Sequence, residues 1–156
     1  MSEQVSFLVT KELGKLAKWL RIIGFDAKYT PASEKNQIVV CSLRENRIIL
    51  TRNKSIGARQ GIRVVHIGYD DLMRQLRQVL DELRLKPDSN LFFMRCVLCN
   101  EPLREVKKET VKAEVPEYVF NTQEEFVRCD RCNRVYWKGT HWGNVQRCLK
   151  EIQGNA

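Results

Sequence analysis

The first half of this chain alternates between two hydrophobic rhythms. Ser6-Phe7-Leu8-Val9 is a short apolar run suited to a buried strand. From Thr10 the spacing lengthens. Leu13, Leu16, Leu20 and Ile23 recur at helical intervals, with Lys11, Lys15 and Lys18 on the opposite face and Arg21 at its border; Gly24 closes the predicted helix. Asp26-Ala27-Lys28-Tyr29 predicts a second strand, broken by Pro31. Ser33 is the expected N-cap of a helix running to about Asn46, with Ile38, Val39, Ser42 and Leu43 facing inward. Arg47-Ile48-Ile49-Leu50-Thr51 contains three consecutive aliphatic residues, the pattern of a strand buried on both faces. A turn or short helix over Lys54 to Gln60, a strand at Arg63-Val64-Val65-His66-Ile67, and a helix capped by Asp70 complete the series. The stripe of that last helix is Leu72, Leu76, Val79, Leu80 and Leu83. Such alternation predicts an α/β domain with a mainly parallel sheet. Ligands on such sheets bind at the carboxyl ends of the strands, here Val9-Thr10, Tyr29-Thr30, Thr51-Arg52-Asn53 and Ile67-Gly68.

The rhythm stops in the segment holding Pro87, Asp88, Ser89 and Asn90. The division expected is an α/β domain over 1–86, a linker over 87–92, and a cysteine-bearing module over 93–156. That module carries two hooks, Cys96-Val97-Leu98-Cys99 and Cys129-Asp130-Arg131-Cys132. Paired Cys-x-x-Cys turns can present four sulfurs to one tetrahedral ion, which predicts structural Zn²⁺ with no position left for water. The gap between the hooks exceeds the common roughly 15–20 residues, leaving room for a hairpin or loop. Val127 and Val135-Tyr136-Trp137 read as strands, and Thr140 as the cap of a final helix from His141 to Ile152. Tyr136, Trp137 and Trp142 are expected to form a small core, with His141 packing the ribbon on the α/β domain; the alternative is that His141 lends a donor to RNA and exposed aromatics stack bases. Cys41 reads as a small buried hydrophobe, His66 as a core or interface histidine, and Cys148 has no evident task.

Charge sharpens this picture. The chain has a formal net charge of +8, and residues 1–63 hold 12 Lys/Arg against 5 Asp/Glu. An acidic partner is favoured, nucleic acid first. Lys11, Lys15, Lys18, Arg21, Lys35, Arg52, Lys54 and Arg59 lie near the predicted strand ends and are the candidate phosphate contacts. The first residues lack a basic start followed by an apolar core, and no apolar run approaches the roughly 18–20 residues of a membrane span. A cytoplasmic protein with no membrane partner is expected. A Gly-rich phosphate loop, a Ser-His-Asp arrangement and a His-Glu-x-x-His motif are all absent from the sequence.

Four stretches together resemble a known family. Phe7-Leu8-Val9-x-x-x-Leu13-Gly14-x-Leu16-Ala17-x-Trp19-Leu20-Arg21-x-x-Gly24-Phe25-Asp26 is similar to the opening of the PIN-like ribonucleases of the Mut-seven C-terminal family. Arg47-Ile48-Ile49-Leu50-Thr51-Arg52 resembles its third-strand motif, the two hooks its appended zinc ribbon, and Val135-Tyr136-Trp137-x-Gly139-x-His141-Trp142 its closing motif. The resemblance implies a PIN-like α/β domain followed by a small C-terminal zinc ribbon, and a metal-dependent ribonuclease activity. PIN-type nucleases use clustered carboxylates to hold Mg²⁺ or Mn²⁺. Here the family's acidic positions fall on Thr10, on or beside Lys35, and on Asn53, while Glu12, Asp26 and Glu34 are the residual acids nearby. The expectation is an RNA- or ribonucleoprotein-binding protein with weak or no nuclease activity. An active nuclease with a rearranged carboxylate set, needing Mg²⁺ or Mn²⁺, and an adaptor docking a protein partner through the ribbon are the rival expectations.

Overall fold

The structure is a computed structural model and describes residues 4–57, 59 and 61–154, without the side chains of residues 140–142, 153 and 154. The chain divides into two compact units, one of Met1–Arg21 with Phe25–Lys86, the other of Ile22–Gly24 with Pro87–Ala156.

In the first unit, the strand-type runs become β1 (Ser6–Val9), β2 (Asp26–Tyr29), β3 (Ile48–Thr51) and β4 (Val64–His66). They pair in the order β2-β1-β3-β4, every pair parallel. Helix α1 (Gly14–Ile22), preceded by a 3-10 turn at Lys11–Leu13, connects β1 to β2, and α2 (Lys35–Glu45) connects β2 to β3. The chain thus leaves β1 toward one edge and then returns across it to β3. The carboxyl ends of β1 and β3 flank this reversal of direction, where open α/β sheets place their ligands.

The core explains why these segments hold. Phe7, Leu8, Val9, Ile49 and Leu50 have no measurable exposure, as expected for central strands covered on both faces. Leu8 and Ile49 pack with Ile38 of α2 and with Ile56 and Ile62 of the β3–β4 connection. The α1 stripe is buried as its spacing predicts, at Leu13, Leu16, Leu20 and Ile23. Gly24 follows at φ +98°, a conformation that an L side chain resists. Helix α3 (Leu72–Glu82) buries Leu76, Val79 and Leu80.

Several local expectations are corrected. Glu34, not Ser33, takes the N-cap position of α2, and its side chain makes no cap bond; Ser33 Oγ instead accepts from Lys11 Nζ at 2.9 Å. With α2 starting at Lys35, Leu43 and Val40 are about half exposed, whereas Ile38 and Ser42 face inward. Asp71 rather than Asp70 caps α3, accepting from the Arg74 amide. Cys41 is only half-buried, with Sγ donating to Glu45 Oε2. His66 is exposed, and its Nε2–H donates to the Ile56 carbonyl at 2.7 Å. Of the two readings of the β3–β4 connection, the turn is the one found over its described residues; Ala58 and Gln60 lie outside them.

The second unit contains β5 (Arg104–Val106), α4 (Glu117–Thr122), β6 (Phe126–Arg128), β7 (Val135–Trp137) and α5 (Thr140–Gly154). Strands β5, β6 and β7 form an antiparallel sheet in sequence order. Two apolar clusters include residues of its sheet, besides the buried Val145, Leu149 and Ile152 of α5. Val111, Val115, Val119 and Phe126 form one, with Trp137 and Phe120 against it. Cys96, Leu103 and Cys129 form the other, with Val127 and Tyr136 against it. Trp137 and Tyr136 therefore serve as packing residues; the side chains of His141 and Trp142 lie outside the description. Among the described residues no helix is long and apolar enough to cross a membrane.

Candidate nucleic-acid interface and metal centre

The two hooks are built alike. In the first, the Cys96 amide donates to the Glu101 carbonyl at 2.9 Å, and the Asn100 amide to the Cys96 carbonyl at 2.9 Å. In the second, the Cys129 amide donates to Arg134 at 3.0 Å, and the Asn133 amide to Cys129 at 2.8 Å. Asn100 and Asn133 follow their hooks at φ +64°, a region Asn tolerates better than most residues. The repeated Cys-x-x-Cys-Asn pattern is the sequence signal that marks them.

These turns bring the sulfurs of Cys96, Cys99, Cys129 and Cys132 within 4.8 Å of one another. Sulfurs about 2.3 Å from one tetrahedral ion would stand about 3.8 Å apart. Cys96 and Cys132 are 3.7 Å apart, and no disulfide joins the four. The Cys99 amide points at Cys96 Sγ, 3.4 Å away, and the Tyr136 hydroxyl donates to the same sulfur at 3.1 Å. Burial pushes the Cys96 thiol up, but Tyr136 and the Cys99 and Leu98 amides outweigh it and bring Cys96 down to about 7. Cys99 is pushed up to about 12 by burial and by the neighbouring Cys132 and Cys129 sulfurs. Four crowded sulfurs resist joint ionisation unless a cation sits among them. The donor set fits a metal ion, and these four residues could hold one.

The carboxyl end of the parallel sheet is arranged differently. Glu12, in the turn after β1, reaches across to β3. Its Oε1 accepts from Thr10 Oγ1 at 2.7 Å, from the Arg52 amide at 2.9 Å and from Thr51 Oγ1 at 3.2 Å. Burial raises the Glu12 carboxyl, but the Arg52 amide and the Thr10 and Thr51 hydroxyls outweigh it and hold it below its ordinary value. Thr10 thus stands at an N-cap position without making the cap bond; its hydroxyl serves Glu12. Asn53 turns its side-chain carbonyl to the amide and hydroxyl of Ser55. Arg52 is paired with Asp70 at 2.7 Å.

The other sequence-predicted positions separate. Asp26 stands opposite Ser6 at the amino ends of β2 and β1, away from this site, and is paired with Arg47 at 2.7 Å. Arg21 is buried, with Nε donating to the Ala27 carbonyl at 2.8 Å, so it presents no guanidinium to a ligand. Glu34 and Lys35 are exposed at the start of α2. Lys15, Lys18, Lys54 and Arg59 are also exposed, and none has an ion-pair partner among the described residues. Lys11 is held by Ser33, and its carbonyl accepts from the Tyr29 hydroxyl. Among the described residues, the four cysteines are the only group of three or more His, Cys, Asp or Glu close enough to share an ion.

A family model described as Mut7-C RNAse domain matches residues 5–149. No curated protein and no solved structure matches the chain.

Proposed function

This chain belongs to the Mut7-C RNAse domain family, and on that premise we propose that it grips RNA at the carboxyl end of its parallel sheet while cleaving it weakly or not at all. The observation that carries this reading is Glu12. It is a carboxylate at the reversal point of the sheet, satisfied by two threonine hydroxyls and an amide rather than joined by further acids. A divalent nuclease ion wants several hard anionic oxygens. Thr10 and Asn53 offer neutral ones, and Lys35 adds a cation to the start of α2. Lys11, Lys15, Lys18, Arg52, Lys54 and Arg59 remain as phosphate contacts, Arg52 already oriented by Asp70. The rival set of Glu12, Asp26 and Glu34 loses support because Asp26 lies at the opposite end of the strands.

The proposed division of labour puts RNA contact in 1–86 and a structural Zn²⁺ in 93–156, joined through 87–92. Zinc is favoured because the four ligands are soft sulfurs and leave no open position. Single-stranded and hairpin RNA, titrated across a salt series with Mn²⁺ or with EDTA, tests the reading. Binding should weaken steeply with salt, and Lys15→Ala with Lys18→Ala should lower the salt slope by about two. Salt-insensitive binding, or divalent-dependent cleavage lost in Glu12→Gln, would contradict it.

A further inference from the structure

The zinc-ribbon unit carries a cleft of about 250 Å³ whose lining differs in sign from the rest of this basic chain. Residues of β5, β6 and β7 and of the segments beside them supply it. Glu105 pairs with Val127, and Val127 with Tyr136, so the three form one cross-strand row on one face. Glu125, just before β6, also lines the cleft. Phe93, Met94, Val106, Phe126 and Trp137 add the apolar part of the lining. The result is an aromatic and thioether floor beneath a carboxylate rim. Glu124 also borders the cleft but is tied to Lys108 at 3.1 Å. Glu105 and Glu125 are exposed and have no ion-pair partner among the described residues. Lys138 is the one basic residue on the lining.

We propose that this cleft binds an arginine side chain from a basic, extended segment of a partner protein. The carboxylates disfavour an RNA phosphate here, so the cleft and the proposed RNA-binding end select ligands of opposite charge. A guanidinium suits the floor because its planar cation stacks on aromatic rings while its edge hydrogen-bonds carboxylates. Met94 supplies an adaptable wall. The volume lies below the roughly 300–1,000 Å³ of clefts that take drug-sized molecules, and is suited to a single long side chain.

The test uses the full zinc-loaded chain and a short Gly/Ser peptide carrying two arginines, followed by amide NMR shifts in β6 and β7. Saturable shifts at Val127 and Tyr136 are expected. A peptide with citrulline in place of arginine, equal in shape but neutral, should bind at least about tenfold more weakly. Glu105→Gln with Glu125→Gln should weaken the arginine peptide to a similar degree, while Glu109→Gln with Glu151→Gln, equal in charge but off the cleft, should not. RNA binding should be unchanged in both double variants, which separates this proposal from the RNA reading. Equal binding of the citrulline peptide would overturn it. So would shifts produced by single-stranded RNA but not by the peptide, or shifts that follow protein concentration alone and mark a second copy as the occupant.

Discussion

Two places in this chain carry metal-ligating residue types, and they are built in opposite ways. In the ribbon, four sulfurs separated by up to 36 residues converge within 4.8 Å, crowded enough that their charge calls for a cation. At the carboxyl end of the parallel sheet the acids have dispersed. Asp26 pairs with Arg47 at the other end of the strands, Asp70 pairs with Arg52, and Glu12 is satisfied by neutral donors. Ligand residue types are present in both units. What differs is convergence, and whether existing hydrogen bonds already stabilise the charge. A carboxylate with three donors has little need of a dication; four thiols facing one another have few other ways to ionise.

The comparison extends to what holds each unit. The parallel sheet has a continuous apolar core, with Leu8, Leu20, Ile49, Leu50, Leu76 and Val79 at zero exposure. The ribbon counts two of its own cysteines among its buried residues. Metal removal should therefore produce the largest effect. Chelation is expected to abolish the dispersed amide signals of β5–β7 while those of β1–β4 persist, since a structural metal ion can contribute much of such a module's folding energy, on the order of 10–16 kcal/mol of apparent binding energy where the ion is zinc. Loss of both sets together would break the contrast. A gain of function should come next. Thr10→Asp with Asn53→Asp adds two carboxylates at the strand ends that carry Glu12 and should raise Mn²⁺ affinity by about tenfold or more, read by calorimetry on metal-loaded protein. No gain would mean that something other than the missing acids keeps the ion out.

Smaller effects sharpen the account of the sheet's amino end. Arg47 donates to Asp26, to Glu45 and to the Phe7 carbonyl, and its side chain is 13 % exposed. Arg47→Ala should cost about 1–3 kcal/mol, measured by urea unfolding, because it strands these acceptors. The smallest effect concerns pH. Lys28, Cys41 and Arg47 donate to Glu45 and hold its carboxyl at about 2 against an ordinary 4.5. Such a depressed group stabilises the fold at pH values above 4.5 and loses that contribution as pH falls toward 2. Glu45→Gln should flatten the acid limb of stability over that window, and an unchanged limb would show the cluster to be idle.

Much of the sheet was legible because its signals are local. Ser6–Val9 and Asp26–Tyr29 form the strands that their composition predicts, and the α1 stripe is buried where its spacing puts it. Leu43 was misplaced because helical spacing alone does not say which face α2 turns inward; Ile38 and Ser42 take that face and Leu43 is left half exposed. Strand β5 escaped because Arg-Glu-Val has no alternation to read; it is a strand because β6 pairs with it. The cysteine cluster could be read from spacing alone. Glu12 was legible as a nearby acid, but its partners were not, since Thr51 and Arg52 lie 39 and 40 residues away and only the parallel register brings them to it.

The most direct measurement is Mn²⁺ binding to the zinc-loaded, otherwise unaltered chain, followed by electron paramagnetic resonance beside Glu12→Gln. The account predicts no stoichiometric Mn²⁺ site in either protein. One Mn²⁺ bound per chain, and lost in Glu12→Gln, would show that the strand-end site still assembles around an ion and would contradict the contrast drawn between the two centres.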